Sequence, residues 1–592
     1  MNSAAVTTAS QQRVAPKRAQ ARVSSAANVL SWTILAGGAV TIVLAAYVAV
    51  LGHSKLPFWD EWMQIDFAAN EGPAHTFDWL WRQFNQHRVV IPKLFLLADL
   101  RWFRATQTFQ LVSNLALQFA HLSLLAWSLR VLGGWRGALW RTAVGLLAFC
   151  LFCPSQWPNL VMGFTGLCCY LPPLFASLSF LGLLLYWRSS RDKDARGWSG
   201  KYLLVCIAAG LCATFSLSNG NLVWPLLAIG ALLLRLRLAA IAGIVAVAAA
   251  GIFAFFYNYT VYLKTTSYSS PGEVVALIKY IAVYFGSSWV TADIRLAEIL
   301  GVAGFLVLAF VLWLMPSYFR VAPAVCTQFG LLLIFVLGTG VVTAPGRVVF
   351  GIDQAFSGRY QSFALLFWGC MAVLLLGRLA TLRKQGVGFV LAQIGLVAVM
   401  VFAGQKARLP IARARWHGFN ISVAAIALET GVPDQVQLGW AHSHPDYPRS
   451  LIPFMRDAKI SVFTEPEPFM LGRPLQSEYT LQTSNTCAGQ VESIADITTG
   501  WPRSLRITGW AWDPPHRSSP AEIIVATDGI ISGLGAVGDR RPSKEVAGHS
   551  TGDFAGFTAY VRDVSRLSKI DVYAVPRKGT NSLCQIATVG PE

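Results

Sequence analysis

The sequence predicts a mainly α protein: a polytopic membrane helical bundle of about eleven spans, followed by a C-terminal extracytoplasmic β-sandwich domain. Three observations predict it. Hydrophobic residues make up 54% of the 592 positions and charged residues only 13%, against about 25% charged in a soluble globular protein. Apolar stretches of roughly twenty residues, the length that crosses a bilayer, recur between short basic or aromatic loops. From about position 478 the pattern changes to short β-type runs separated by turn residues.

The spans follow in order. A polar, basic N-terminal tail (1–28, with Arg13, Lys17, Arg18 and Arg22) precedes an apolar run from Trp32 to Leu51. That run is longer than the core of a cleavable signal peptide, so it reads as a retained anchor. Further spans fall at 107–129, 141–157, 169–187, 202–218, 221–234, 238–257, 296–315, 323–343, 361–377 and 387–404. Basic clusters mark alternate loops: Arg130, Arg136 and Arg141; Arg188, Arg191, Lys193, Arg196 and Lys201; Arg235 and Arg237; Arg320; Arg378, Arg383 and Lys384. Threading eleven spans puts every cluster on the side of the N-terminus, which is the cytoplasmic side by the positive-inside rule. Residues 53–106, 258–295, 344–360 and the tail then lie outside. Residues 273–288 are helical in pattern but break the charge rule if they span, so an interfacial helix on the outer surface is expected. Asn114, Gln118 and His121 share one face of the second span, where interhelical hydrogen bonding is the expectation.

The formal net charge is +18. From position 405 on, 19 Lys and Arg face 18 Asp and Glu, and before it the balance is 29 to 12. The excess therefore belongs to the membrane part, which argues against a nucleic-acid-binding tail. Eight of the ten cysteines are scattered through apolar spans as packing residues, Cys150 and Cys153 included. Cys487 and Cys584 are the only two in the tail. They bracket its last segment in a compartment that oxidises thiols, so a disulfide between them is expected.

The first outer loop, 53–106, carries the most chemistry. Asp60 and Glu61 stand together at the membrane boundary within Pro57-Phe58-Trp59-Asp60-Glu61-Trp62. Trp is expected at that depth, but a carboxylate pair is not, because partial burial penalises its charge. Solvated loop charges are the plain alternative. Next come Asn85-Gln86-His87-Arg88 and an amphipathic run from Lys93 to Phe103, read as juxtamembrane helices. Arg82, His87 and Arg88 bring cationic or proton-donating groups.

One span, a long outer loop opening on an acidic pair, two juxtamembrane helices, a many-span bundle and an outer C-terminal domain resemble the GT-C superfamily of integral-membrane glycosyltransferases. Asn85-Gln86-His87-Arg88 is similar to an Asn-x-His-Arg element of uncharacterised bacterial members. No Trp-Trp-Asp-Tyr-Gly element is present, which disfavours transfer to protein asparagine. The resemblance implies a sugar donor linked to polyprenyl phosphate, a glycan or glycolipid acceptor, membrane lipids as surroundings and no nucleic acid. It places the chain in a bacterial inner membrane with the C-terminal domain in the periplasm.

Such chemistry needs a base for the acceptor hydroxyl and positive charge for the departing phosphate. Asp60 is the candidate base, with Glu61 supporting it. No cofactor follows from the residues beyond a divalent cation that this acidic pair could orient. Arg359, in Ser357-Gly358-Arg359-Tyr360, suits a phosphate through its planar fork, as do Arg347, His87 and Arg88. Asn219, Asn221 and Tyr360 are candidate cavity-lining residues, although Ser218-Asn219-Gly220-Asn221 also reads as a plain tight turn. Lys264, Tyr268 and Asp293 are weaker candidates for the same cavity.

The domains expected are the tail 1–28, the bundle 29–404, a helical and Pro-rich connector 405–475, and the β-sandwich 476–592. Two rival functions stay open at this point. A lipid-linked sugar flippase is disfavoured by the few buried charges in the spans. An O-antigen polymerase or ligase would be expected to carry its key loop late in the chain.

Overall fold

The computed structural model describes residues 4–192, 199–261, 270–290, 292–381, 385–481, 487–498, 503–541, 554–565 and 567–590. Lys193, Arg196, Lys264, Tyr268, Arg383 and Lys384 lie outside the described residues. The helices of the first 406 residues are α1 (Ala4–Gly52), α2 (Met63–Asn70), α3 (Thr76–Trp81), α4 (Val90–Phe103), α5 (Thr108–Gly133), α6 (Gly137–Phe152), α7 (Trp157–Val161), α8 (Gly163–Arg191), α9 (Ser199–Thr214), α10 (Val223–Leu233), α11 (Leu238–Phe256), α12 (Pro271–Gly286), α13 (Ile294–Phe319), α14 (Pro323–Thr343), α15 (Gln361–Ala380) and α16 (Gln385–Lys406). A further helix, α17, covers Arg408–Thr430. Two units are distinguished: Met1–Ala49 with Leu80–Leu94 and Val112–Ile411, and Val50–Trp79 with Phe95–Leu111 and Ala412–Glu592.

The first unit is helical. Among the described residues, nine helical segments are long and apolar enough to cross a membrane, which makes this a multi-pass membrane protein. The two other expected spans are the short helices α9 and α10, of 16 and 11 residues. At 1.5 Å per residue they extend about 24 and 17 Å, short of a hydrocarbon core of about 30 Å. Nine and eleven crossings are both odd, so the expected placement of the termini on opposite faces does not depend on this pair.

Buried polar groups join the helices. Asn114 donates to the Gly163 carbonyl at 2.9 Å, Gln118 to the Leu151 carbonyl at 2.6 Å, and His121 Nε2 lies 2.8 Å from Ser177 Oγ. This is the interhelical bonding expected of that face. The expected interfacial helix, α12, departs from the reading. Its N-terminal half is exposed, but Tyr280, Val283, Tyr284 and Phe285 are fully buried. The reason is a close approach to α13. A Cβ on Gly286 would lie 1.9 Å from the Ala297 carbonyl oxygen, and one on Gly301 would lie 1.9 Å from that of Ala282. Two glycines at these positions let the backbones touch, so half the helix is drawn into the bundle.

The second unit builds its core from segments far apart in sequence. Trp62 and Ile65 pack with Ile421, Leu428, Met455 and Phe463 of the connector and with Tyr560 of the tail. Asp434 fastens connector to sheet: its carboxylate accepts from Arg506 at 2.8 Å and from the Tyr560 hydroxyl at 2.7 Å.

The tail forms strands β1 (Thr480–Leu481), β2 (Ala488–Thr498), β3 (Ser504–Trp512), β4 (Glu522–Thr527), β5 (Ile530–Asp539), β6 (Gly556–Val561), β7 (Ile570–Val575) and β8 (Ser582–Val589). These make one eight-stranded sheet in the order β1-β8-β7-β4-β5-β6-β3-β2, curled into a half-barrel. The expected two-sheet sandwich is replaced by this single sheet. Alternation along β4 shows why: Ile523 and Val525 enter one core, while Ile524 and Ala526 enter another that Leu475 and Tyr479 help to form. A sheet covered on both faces has no need of a second sheet. Cys487 and Cys584 form the expected disulfide, with Cα atoms 5.9 Å apart. It ties the start of β2 to β8, near the two ends of the strand order.

Candidate functional site

Within the first unit, residues distant in sequence meet in one cluster. The segment Ser218–Leu222 is a 3₁₀ turn, and a Cβ on Gly220 would lie 1.8 Å from the Ala213 carbonyl oxygen. Close approach, rather than the positive φ expected of an Asn-Gly turn, therefore requires the glycine. The turn presents Ser218 Oγ to His87 Nδ1 at 2.8 Å, and Ser218 N–H points at the same nitrogen at 3.4 Å. Because a backbone N–H can only donate, Nδ1 is the acceptor and Nε2 carries the proton of the neutral ring. Burial, and then the charge of Arg347, hold the His87 pKa down to about 4. His87 is thus a neutral donor at pH 7 rather than a cation.

Arg347 and Arg359 act on the same surroundings. Both charges reach Tyr280, whose proton is held more tightly chiefly because of burial and then because of Tyr360. Arg359 Nε donates to Ser357 Oγ at 3.1 Å, and its backbone carbonyl is held by Asn159 at 3.2 Å. Among the described residues neither arginine forms an ion pair with a carboxylate. In the same cluster the Tyr280 and Tyr360 hydroxyls have only each other to bond to, and among the described residues the Tyr284 hydroxyl and the amide oxygens of Asn219 and Asn221 are buried with no hydrogen-bond partner. Asn219 uses its amide nitrogen on Thr339, at 3.1 Å. Two guanidinium groups and these under-used buried polar atoms make a cluster suited to an anion that also accepts and donates hydrogen bonds.

The other predicted residues have different surroundings. Arg88 is buried and donates to three backbone carbonyls, those of Trp81, Phe255 and Tyr257. With three of its donors engaged and its plane over the Trp81 ring at 5.1 Å, it clasps the loop to α11 instead of reaching for a phosphate. Asp293 caps α13, accepting from Leu296 N–H at 3.0 Å. Tyr280 and Tyr284 were missed by sequence reasoning, because α12 read as a surface helix.

Asp60 and Glu61 belong to the second unit. They open the short 3₁₀ turn Trp59–Trp62, and their side chains part. Glu61 is 3% exposed and accepts the Phe58 N–H at 2.9 Å, whereas Asp60 is exposed. Trp59, just before them, sits at φ +49°, an uncommon conformation for a bulky residue. Its N–H donates to the Ala441 carbonyl at 2.8 Å, and Trp62 Nε1 donates to the same oxygen at 3.3 Å. The turn is therefore held from both sides on the loop that leads to His442, whose ring centroid lies 6.3 Å from that of Trp59. His442-Ser443-His444-Pro445-Asp446 was overlooked in the sequence, although two histidines and an aspartate in a Pro-containing loop are a usable signal. Among the described residues no group of three or more His, Cys, Asp or Glu side chains is placed to hold a metal ion.

The second unit also buries a carboxyl. Asp99 of α4 is fully enclosed, and Gln110 Nε2 donates to its Oδ2 at 2.9 Å. Gln64 also approaches the carboxyl, and among the described residues the oxygens Gln110 Oε1 and Gln64 Oε1 have no partner. Burial raises the Asp99 pKa to about 6, against smaller opposing hydrogen bonds. A folded-state pKa above the unfolded value stabilises at low pH, and that stability is lost as pH rises from about 4 through about 6. Asp99→Asn removes the charge and gains a donor for the orphaned glutamine oxygens. It should stabilise the protein at pH 8 by about 2–3 kcal/mol and flatten the dependence of its melting temperature on pH between 4 and 7. A variant that melts as the wild type does at both pH values would refute this.

A scan against protein-family models finds no match for this chain, and a search of curated proteins finds no significant relative.

Proposed function

We propose that the protein is a membrane glycosyltransferase that moves a sugar from a polyprenyl-phosphate carrier to an envelope glycan or glycolipid on the outer face of a bacterial inner membrane. The observation that supports this reading is that Arg347 and Arg359, which form no ion pair with a carboxylate among the described residues, both act on Tyr280 in a cluster of buried hydroxyl and amide groups with hydrogen-bonding capacity to spare. In this reading the guanidinium groups take the carrier phosphate and stabilise it as it departs, and His87 donates through Nε2. Asp60, in the other unit, is proposed from its sequence context as the base that receives the acceptor's proton as the acceptor oxygen bonds to the sugar carbon and the bond from that carbon to the phosphate oxygen breaks. Glu61 keeps the Asp60 turn in shape through the Phe58 N–H. The same anion cluster would also serve a lipid-linked sugar transporter, in which Asp60 needs no basicity.

The test is a transfer assay with a polyprenyl-phosphate sugar and purified variants. Arg359→Ala and Arg347→Ala should each raise the KM for the donor by about 10–100-fold, the worth of a charge-assisted hydrogen bond. Arg88→Ala should reduce the amount of folded protein instead. Unchanged donor kinetics in both Arg347 and Arg359 variants would refute the site. Orientation has its own check: a C-terminal alkaline phosphatase fusion should be active and a green fluorescent fusion dark. The reverse pattern would put the tail on the cytoplasmic side and end the reading.

A further inference from the structure

A cavity of about 310 Å³ lies wholly within the second unit, at the foot of the half-barrel. Four carboxylates line it, from Glu429 at the end of α17, Glu465 and Glu467 of the connector, and Glu522 of β4, together with the ammonium groups of Lys55 and Lys578. The two lysines are spent mainly on one acid. Lys55 is ion-paired to Glu465, and Lys578 lies 3.2 Å from Glu465 but 4.0 Å from Glu522. Glu429 is 7% exposed and lines the cavity, and among the described residues its carboxylate has neither a hydrogen bond nor an ion pair. Among the described residues Glu467 forms no ion pair, although its charge is felt by Lys578. Burial, and then the charge of Glu467, push the Glu522 carboxyl up to about 7, and four carboxyl groups face two ammonium groups in the cavity.

An enclosed carboxylate without a partner costs several kcal/mol. Burial, and then the neighbouring Glu522, accordingly push the Glu429 pKa well above its ordinary value, and a cation in the cavity is what would hold it charged. A bare metal ion does not fit the residues, because no three of these side chains are placed as ligands. The volume sits at the low end for an organic ligand. We propose that this cavity binds a primary ammonium group on a small organic ligand, such as an amino sugar or an ethanolamine head group, with Glu429, Glu467 and Glu522 as its counter-charges. The proposal is independent of the transfer reaction and of Asp60.

The test uses the full chain in nanodiscs of phosphatidylglycerol, a lipid without an amine, with calorimetric titration of glucosamine and ethanolamine. At least one of these should bind, and its neutral counterpart (N-acetylglucosamine or ethylene glycol) should bind at least tenfold more weakly. Glu429→Gln should weaken the amine at least tenfold with a melting temperature no lower than that of the wild type. Should that variant fail to fold, Glu467→Gln at the half-buried rim must show the same loss. Repeating the titration in phosphatidylethanolamine nanodiscs separates the sources: abolished binding assigns the site to a lipid head group, and retained binding assigns it to an amino sugar. Binding of neither amine, equal binding of amine and neutral counterpart, or titrations unaffected by Glu429→Gln and Glu467→Gln would overturn the proposal.

Discussion

Asp60→Asn should lower sugar transfer by about 10²–10⁴-fold, the usual contribution of a general base, while the protein still folds and inserts. The side chain is exposed, so the swap disturbs no core, and it keeps the size while removing the basicity. The backbone that aims it is secured independently, by Trp59 N–H and Trp62 Nε1 on the Ala441 carbonyl. Glu61→Gln should behave differently. A glutamine oxygen still accepts the Phe58 N–H, so transfer should fall far less. The measurement is glycan analysis of a deletion strain complemented with each variant, with membrane levels checked in parallel. Wild-type glycan in the Asp60→Asn strain would remove the base from the mechanism and leave the transporter as the better account of the arginine cluster.

The second large effect concerns the tail. Cys487 and Cys584 are 97 residues apart in sequence. In the chain-entropy account, closing a loop of that length stabilises a domain by about 4–5 kcal/mol. Replacing both with serine should therefore cost a large share of the stability of a small β domain. The loss should show as rapid proteolysis of the tail within the full-length protein, with the helical unit spared. In the wild type, thiol labelling under denaturing, non-reducing conditions should leave both cysteines unmodified. Equal protease resistance of the double variant would mean that the sheet holds its curl without the bond.

Length and composition settled much of the architecture. A bilayer demands a run of apolar residues that satisfies its own backbone, and that demand is written residue by residue. Hence α5, α11 and α14 fall close to their expected places. The disulfide was legible because the tail offers only two thiols. The strands were legible from alternation, but whether they close into two sheets or one was not. That choice rests on which strands pair and on what covers the second face, here Leu475 and Tyr479 against Ile524 and Ala526. The depth of α12 was likewise hidden, since it depends on Gly286 and Gly301 meeting carbonyls of the neighbouring helix. The candidate site divides in the same way. Asp60, Arg347 and Arg359 stand out in the sequence as charges at a membrane boundary. The surroundings of the two arginines do not: Tyr280 and Tyr284 join Arg347 and Arg359 only because α12 is drawn inward, and Arg88 leaves the set only because three carbonyls of the folded chain converge on its guanidinium. Hydrogen-bond satisfaction is a property of the assembled interior, so tertiary structure alone decides which polar groups are used up and which remain for a ligand.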